Sequence, residues 1–424
     1  MSSSLTELDP RGVPLTTDRP AAGRALEEAL MSLVAHRADL PQRLETALAL
    51  DGELVLGHVV RGFGYRLLAR RSFLGEAESA LGRARASVEA RGATDREKLF
   101  VEALASSIRG DSEGVAEHLE AAVTLTPRDL LAIKLSHAVH FMLGRSSAMR
   151  ANLERVQHAW RDDALPGAGA VRGCLAFALV EVGEVDRGEA LGRSACALEP
   201  NAWSVHAVSH VHATKQELSA GTAWLADHER LISSASNLGA HLRWHAALFD
   251  IARGEPELGL ATYDRYLASR LAPDYRDFVN ASSLLLRLEA ADVDVGDRWE
   301  PLARVAQGDG VDPCLGFAEL HSVLALVRAG WVAEAKERIA AMAEAARTAP
   351  GIDGEVEREV AIPLAEAMLA PALRGAALIR ALLPSVQRLG GSRVQRELFT
   401  ILATDLESEG SASRRRSEVP RVAS

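Results

Sequence analysis

The stretch EVGEVDRGEALGRSACALEPN, residues 181–201, decides the fold. Gly183 and Glu184 make a turn, and Asp186 to Leu198 reads as a helix. Glu199-Pro200 ends that helix, because proline lacks the N–H that continuation requires. A small residue sits where this helix would cross the one before it, Ala168 to Val182. The stretch is therefore the second half of a helix–turn–helix unit. One such pair carries an apolar face that only a neighbouring pair can cover, so the unit predicts a stack of them.

The same pattern extends in both directions. Towards the N-terminus, Asp129 to Leu143 turns at Gly144 and continues as Ser147 to Trp160. Before it, Arg96 to Ile108 turns at residues 109–112, continues as Gly114 to Leu125 and stops at Pro127. The turn glycines Gly110 and Gly144 are 34 residues apart, the period of a tetratricopeptide repeat. Towards the C-terminus come Trp203 to Thr214 with Ala220 to Ser233, then Leu238 to Ala252 with Glu257 to Leu267. Further helices are predicted at 274–290, 297–306, 313–329, 332–347, 355–370, 372–389 and 393–407. The predicted fold is all-α, an α-solenoid of tetratricopeptide-like helix-turn-helix repeats with helical caps. Its expected divisions are a disordered arm at 1–20, an N-terminal helical cap at 21–92, the superhelix at 93–407 and a disordered tail at 408–424. The RRR run at 414–416 is expected to be a solvated part of that tail.

Composition narrows the function. The 424 residues are 48% apolar and only 4% aromatic, rich in helix-forming Ala, Leu, Arg and Glu. A net charge of −10 argues against a nucleic-acid partner, which needs clustered positive charge. No run is apolar enough to span a membrane, and the polar N-terminus lacks a signal-peptide core, so the expected location is the cytoplasm. Cys174, Cys196 and Cys314 show no CxxC spacing and are expected to fill packing positions. Trp160, Trp224, Trp299 and Trp331 are expected to do the same. No Walker A, GxGxxG, GxSxG or HExxH motif is present.

What the sequence does concentrate is histidine. Residues 201–250 hold six of the thirteen: His206, His210, His212, His228, His241 and His245. His206/His210 and His241/His245 are i,i+4 pairs, each on one helix face. They lie 35 residues apart, about one repeat, on helices expected to line a concave groove. The turns that follow the two helices are about 38 residues apart, however, and a three-residue slip rotates a side chain by about 60°. Strict register is therefore not given by the sequence. Three readings remain open: core histidines, a metal site, and a ligand pocket with Trp203 and Trp244 beside the imidazoles. No cofactor is demanded by a motif; zinc or iron are the metals that such imidazoles would suit, with Glu319 or Asp250 as added carboxylates. The GGSRVQRE segment reads either as an anion-holding turn with Arg393 or Arg396, or as a plain turn with Ser392 as N-cap.

Several blocks in one order carry a resemblance: DGELVLGH (51–58), TDREKLFVEAL (94–104), RDLLAIKLSHAVHFMLG (128–144), NAWSVHAVSHVHATK (201–215), AHLRWHAALF (240–249), VGDRW (295–299), FAELH (317–321) and LGGSRVQRELF (389–399). On these the chain resembles the tetratricopeptide repeat protein 38 family, in a bacterial form, from about residue 40 to 405. The resemblance implies the helical-repeat fold and a set of polar positions that adds His58, His137 and His321 to the candidates. It implies no reaction. This chain departs from the pattern with Ala213 in place of an acidic residue, Leu242 in place of Asn, Glu319 in place of Asp and Phe100 in place of His. Beside the histidines that removes a carboxylate and an amide.

The leading expectation is a cytoplasmic repeat protein that holds a small molecule or a peptide in the groove. His206, His210, His241, His245, Trp203, Trp244, His58, His137, Glu319, His321 and Arg396 are the candidate contacts. The alternatives are an enzyme using the same histidines, with or without a metal, and a protein–protein scaffold in which they are incidental.

Overall fold

In a computed structural model of the chain, residues 6–271, 274–308 and 315–418 are described, with side chains as far as 411. All regular structure in them is helical apart from one hairpin, so the all-α expectation holds. The hairpin pairs β1 (Thr6–Leu8) with β2 (Pro14–Thr16). This corrects the expected disordered arm over residues 6–20. Arg11 is buried in an ion pair with Glu27, and Thr16 gives both its N–H and its hydroxyl to Glu97. Periodicity could not reveal these contacts, because the partners are distant in sequence.

Helices α1 (Pro20–Val34), α2 (Leu40–Leu50), α3 (Val55–Leu67) and α4 (Leu74–Arg91) form the N-terminal part. Pairs follow: α5 (Asp95–Ile108) with α6 (Ser112–Leu125), α7 (Leu130–Met142) with α8 (Ser146–Val156), and α9 (Ala168–Glu181) with α10 (Val185–Leu198). Next come α11 (Ala202–Lys215) with α12 (Leu218–Asp227) and α13 (Glu229–Ser234), then α14 (Asn237–Ala252) with α15 (Pro256–Thr262). The helix expected over 220–233 is thus broken at His228. The remainder is α16 (Tyr275–Glu289), α17 (Trp299–Gly308), α18 (Gly316–Arg328), α19 (Val332–Thr348), α20 (Gly351–Val356), α21 (Ile362–Leu369), α22 (Ala372–Leu382) and α23 (Arg393–Glu418). A π-turn at Glu357–Ala361 joins α20 to α21 just before Pro363, whose missing N–H breaks the regular ladder. The last helix runs to Glu418, so residues 408–418 continue it where a disordered tail is expected. Cys314 and the side chains of the RRR run lie outside the described residues.

The inner row of helices explains the shape. α7 packs on α9, α9 on α11, α11 on α14, α14 on α16, and α16 on α18. Inner helices are covered on both sides: every residue of α9 except Arg172 is buried. Outer helices bury one stripe, as in α10, where only Gly188, Gly192, Ala195 and Cys196 are covered. That stripe is small because the backbones approach closely; a Cβ on Gly188 would meet Val180 at 2.7 Å.

Both ends fold back over this row. The His36 carbonyl accepts from the Ser236 N–H at 2.7 Å, and Arg37 bridges to Ala235. At the other end α23 packs on α16, and Arg287 donates to the Val394 carbonyl at 2.8 Å. Gln387 donates to the Gly144 carbonyl at 2.9 Å, and a Cβ on Gly144 would fall onto the Gln387 carbonyl oxygen. The glycine that the sequence offers as a turn residue is also a docking point. The concave groove that the sequence predicts is therefore narrowed from both ends.

A candidate four-histidine metal centre beside a chamber

The site begins with two helix starts. Asn201 caps α11 by accepting the Ser204 N–H at 3.0 Å. α14 starts at Asn237, and in both helices the histidines are the fifth and ninth residues. The two pairs are consequently in register, which corrects the expected slip. The extra length that separates the turns lies beyond the histidines, at the C-terminal end of α14.

Register brings four imidazoles together. One nitrogen from each of His206, His210, His241 and His245 falls within 4.8 Å of the others. The Nε2 atom of His206 is 3.0 Å from that of His210 and 3.1 Å from that of His241. Ligand nitrogens on a tetrahedral zinc are about 3.3 Å apart, given bonds of about 2.0–2.1 Å. All four side chains are buried, from 0% exposed at His245 to 8% at His241. Aromatic rings hold them: Phe177 stacks on His206 and Trp244 on His241.

The opposite ring nitrogens set the tautomers. His241 Nδ1 meets Asn280 Oδ1 at 2.9 Å, and a carboxamide oxygen can only accept. His210 Nδ1 faces Glu181 Oε1 at 3.5 Å. The Asn280 contact turns the His241 N–H outwards and leaves its Nε2 lone pair aimed into the cluster. The Glu181 carboxylate stands behind His210 in the same way without a hydrogen bond, an arrangement like that of metal-ligating histidines. Burial alone would push the Glu181 carboxyl up, but His210 and the Arg393 N–H together hold it below its usual range. That N–H donates to Glu181 at 3.0 Å from the start of α23. His206 Nδ1 and both nitrogens of His245 have no hydrogen-bond partner. Burial, then the neighbouring imidazoles, depresses His206 and His245 far below the ordinary histidine value. His241 is lowered to about 4, first by burial. His206, His241 and His245 are thus held as neutral nitrogen donors.

His206, His210 and His241 also stand in the wall of a chamber of about 550 Å³. That is within the range of small-molecule sites, about 300–1,000 Å³. Trp203 and His137 line it too, with Lys134 from α7 and Asn280, Asp274 and Arg276 from the α16 region. Helices α1, α2 and α3 close it from one side, through Leu33, Leu40, Leu44 and Val60, and Phe317 and Leu389 from the other.

The remaining candidates divide. His137 joins the chamber with both nitrogens unpartnered, edge-on to Trp203. Trp244 lies beneath His241 and is 1% exposed. His58 spends its Nε2 on the Gly52 carbonyl at 2.8 Å, within its own α2–α3 turn. His321 donates from Nδ1 to the Phe317 carbonyl at 2.7 Å, one turn back on α18. Glu319 pairs with Arg338 at 2.8 Å and Asp250 with Arg253 at 2.9 Å, so neither adds a carboxylate to the cluster. Arg396 donates to the Gly391 carbonyl. The GGSR turn is closed by Ser392 and Gln395, which cap each other. Its one anion is the Glu181 carboxylate, so the turn buttresses His210. Neither departure empties the site: Leu242 is buried in a separate core cluster, and Glu181 and Asn280 supply the carboxylate and the amide. Sequence reading missed Glu181, Asn280, Lys134 and Arg276, which sit singly on helices outside the histidine stretch. A scan against protein-family models finds none that matches this chain.

Proposed function

We propose that this protein takes a small molecule into its chamber and acts on it with a transition metal, zinc or iron, held by His206, His210, His241 and His245. The observation that carries the reading is the convergence of four buried imidazoles within 4.8 Å of one another, three of them on the wall of a 550 Å³ chamber. A cluster with unpartnered nitrogens costs folding energy unless something binds them, about 1–3 kcal/mol for each unsatisfied buried group. The scaffold reading leaves that cost without a return. A cavity of about 550 Å³ fits a small molecule better than a peptide. The four imidazoles would hold zinc or iron through nitrogen. In either case the metal supplies Lewis acidity to a ligand atom.

The finer reading of the fold belongs with this proposal. The succession of inner helices and the ordered blocks of residues support a tetratricopeptide-like α-solenoid related to the protein 38 family. Among the described residues no helix is long and apolar enough to cross a membrane. A cytoplasmic location is part of the same proposal.

The test is metal analysis of tag-free protein, as isolated and after reconstitution with zinc or ferrous iron under anaerobic conditions. About one equivalent per chain is expected, lost in the His206→Ala, His241→Ala double variant. Wild-type protein that neither carries nor takes up metal would overturn the reading.

A further inference from the structure

Lys134 stands apart from the other charged groups of the chamber. It is one of only four lysines in the chain and is 8% exposed. Its ammonium lies 3.7 Å from the centre of the Trp203 ring, and it lines the chamber. Among the described residues no carboxylate pairs with it. The chamber's other cations are all compensated. Asp274 grips Arg276 through Nε at 2.8 Å and Nη2 at 2.7 Å. Arg37 pairs with Asp39 and Arg61 with Glu45. A buried ammonium without a counter-ion is expensive; burial lowers the Lys134 pKa, and among the described residues the wall supplies it with no carboxylate.

The groups around that charge are donors. His137 stands edge-on to the same Trp203 ring at 5.5 Å, and His36 stacks on it at 5.3 Å. Both nitrogens of His137, and Nε2 of His36, are buried without a partner. A neutral imidazole can offer one N–H, so an ammonium and two imidazoles can address one acceptor group. A carboxylate, which only accepts and has about four lone-pair sites, matches them. A phosphate dianion matches less well. The chamber's guanidinium groups are taken by Asp274, Asp39 and Glu45, and the α23 start spends its Ser392 and Arg393 N–H groups on Gln395 and Glu181.

The lining also offers apolar surface, including Leu40, Leu44, Val60, Leu68, Phe141 and Phe317. The Trp203 ring also bridges Lys134 to the histidines, its centre 5.0 Å from that of His206. We infer that the ligand is a monocarboxylic acid with an apolar body, its carboxylate held by Lys134, His137 and His36 and its body lying beside the His206 imidazole. This rests on the chamber being a ligand site, as proposed above, and not on the presence of metal.

The experiment compares acids with their neutral amides. Octanoate, 4-phenylbutyrate and benzoate, their carboxamides and inorganic phosphate are titrated by calorimetry and thermal shift. Wild type, Lys134→Met and Lys134→Gln are each used metal-loaded and metal-stripped, with metal content measured on the same samples. At least one acid is expected to bind wild type about tenfold tighter than its amide, the effect of one charge-assisted contact. Both Lys134 variants are expected to erase that preference and to keep their metal. The inference is overturned if no acid binds, if amides bind as well as acids, if phosphate is the preferred anion, or if the variants hold acids undiminished. Acid binding that depends on Lys134 in protein that takes up no metal would uphold this inference and sink only the metal reading. Normal metal uptake with no preference for acids would do the reverse.

Discussion

The histidines of α11 and α14 and those of α3 and α18 look alike in sequence, and all are buried. Their surroundings differ. His58 and His321 each find a backbone carbonyl in their own helix or turn, 2.8 and 2.7 Å away, and need nothing else. His206, His210, His241 and His245 find chiefly one another. A neutral His206 carries one N–H, which can satisfy His210 or His241 but not both, and burial disfavours a second proton. A buried imidazole whose partner is local belongs to the fold. A buried imidazole whose partners are other imidazoles belongs to a site.

That difference can be broken by experiment. The largest effect is expected at the hub. His206→Ala removes the nitrogen that approaches both His210 and His241, and should abolish stoichiometric metal by elemental analysis. His58→Ala and His321→Ala should leave metal content unchanged and cost about 1–2 kcal/mol in urea unfolding. Metal loss in the latter pair would erase the distinction. Acid should come next in size. His241 has an ordinary value of 6.5 and is held at about 4, so the unfolded chain takes up a proton first as pH falls. Its contribution is complete above about pH 6.5 and drains away towards pH 4, by about 3 kcal/mol. His206 and His245 act in the same direction. Metal-free protein of constant stability between pH 7 and 4.5 would contradict a buried neutral cluster.

Smaller effects sharpen the comparison. Glu181→Gln keeps the shape but removes the charge behind His210, and should weaken metal affinity about 10–100-fold. A competition titration with a chelator reads this directly. An unchanged affinity would reduce Glu181 to a cap on α23. His245→Leu replaces a side chain with two unpartnered nitrogens by an apolar one of similar size. The metal-free variant should be more stable than wild type by about 1–3 kcal/mol. Lower stability would mean that the cluster already satisfies itself.

Much of the fold is legible in the sequence. The helix limits at residues 168–198 follow from Gly183 and Pro200, and α11 and α14 from their alternation of apolar and histidine positions. What escaped has physical causes. The hairpin depends on Glu97, some eighty residues away from Thr16. At the break, His228 Nδ1 meets the Trp224 carbonyl one turn back at 2.7 Å, and its Nε2 meets the Cys196 sulfur, a distant residue, at 3.5 Å. At the site, i,i+4 spacing identified the four central histidines. The two groups that orient them carry no local pattern. Glu181 reads as the last residue of a helix, and Asn280 as one polar residue in α16.

By itself the sequence determined an all-helical chain of paired helices and the placing of two histidine pairs on equivalent helix faces. Both are consequences of local periodicity and turn chemistry, which act within a few residues. The tertiary structure alone decided that the pairs meet in register, that α23 and the N-terminal helices narrow the groove around a chamber, and that Lys134 stands there with no carboxylate beside it among the described residues. These depend on which surfaces remain to be covered once the helices have stacked, and on contacts such as Gly144 with Gln387 that join segments more than two hundred residues apart.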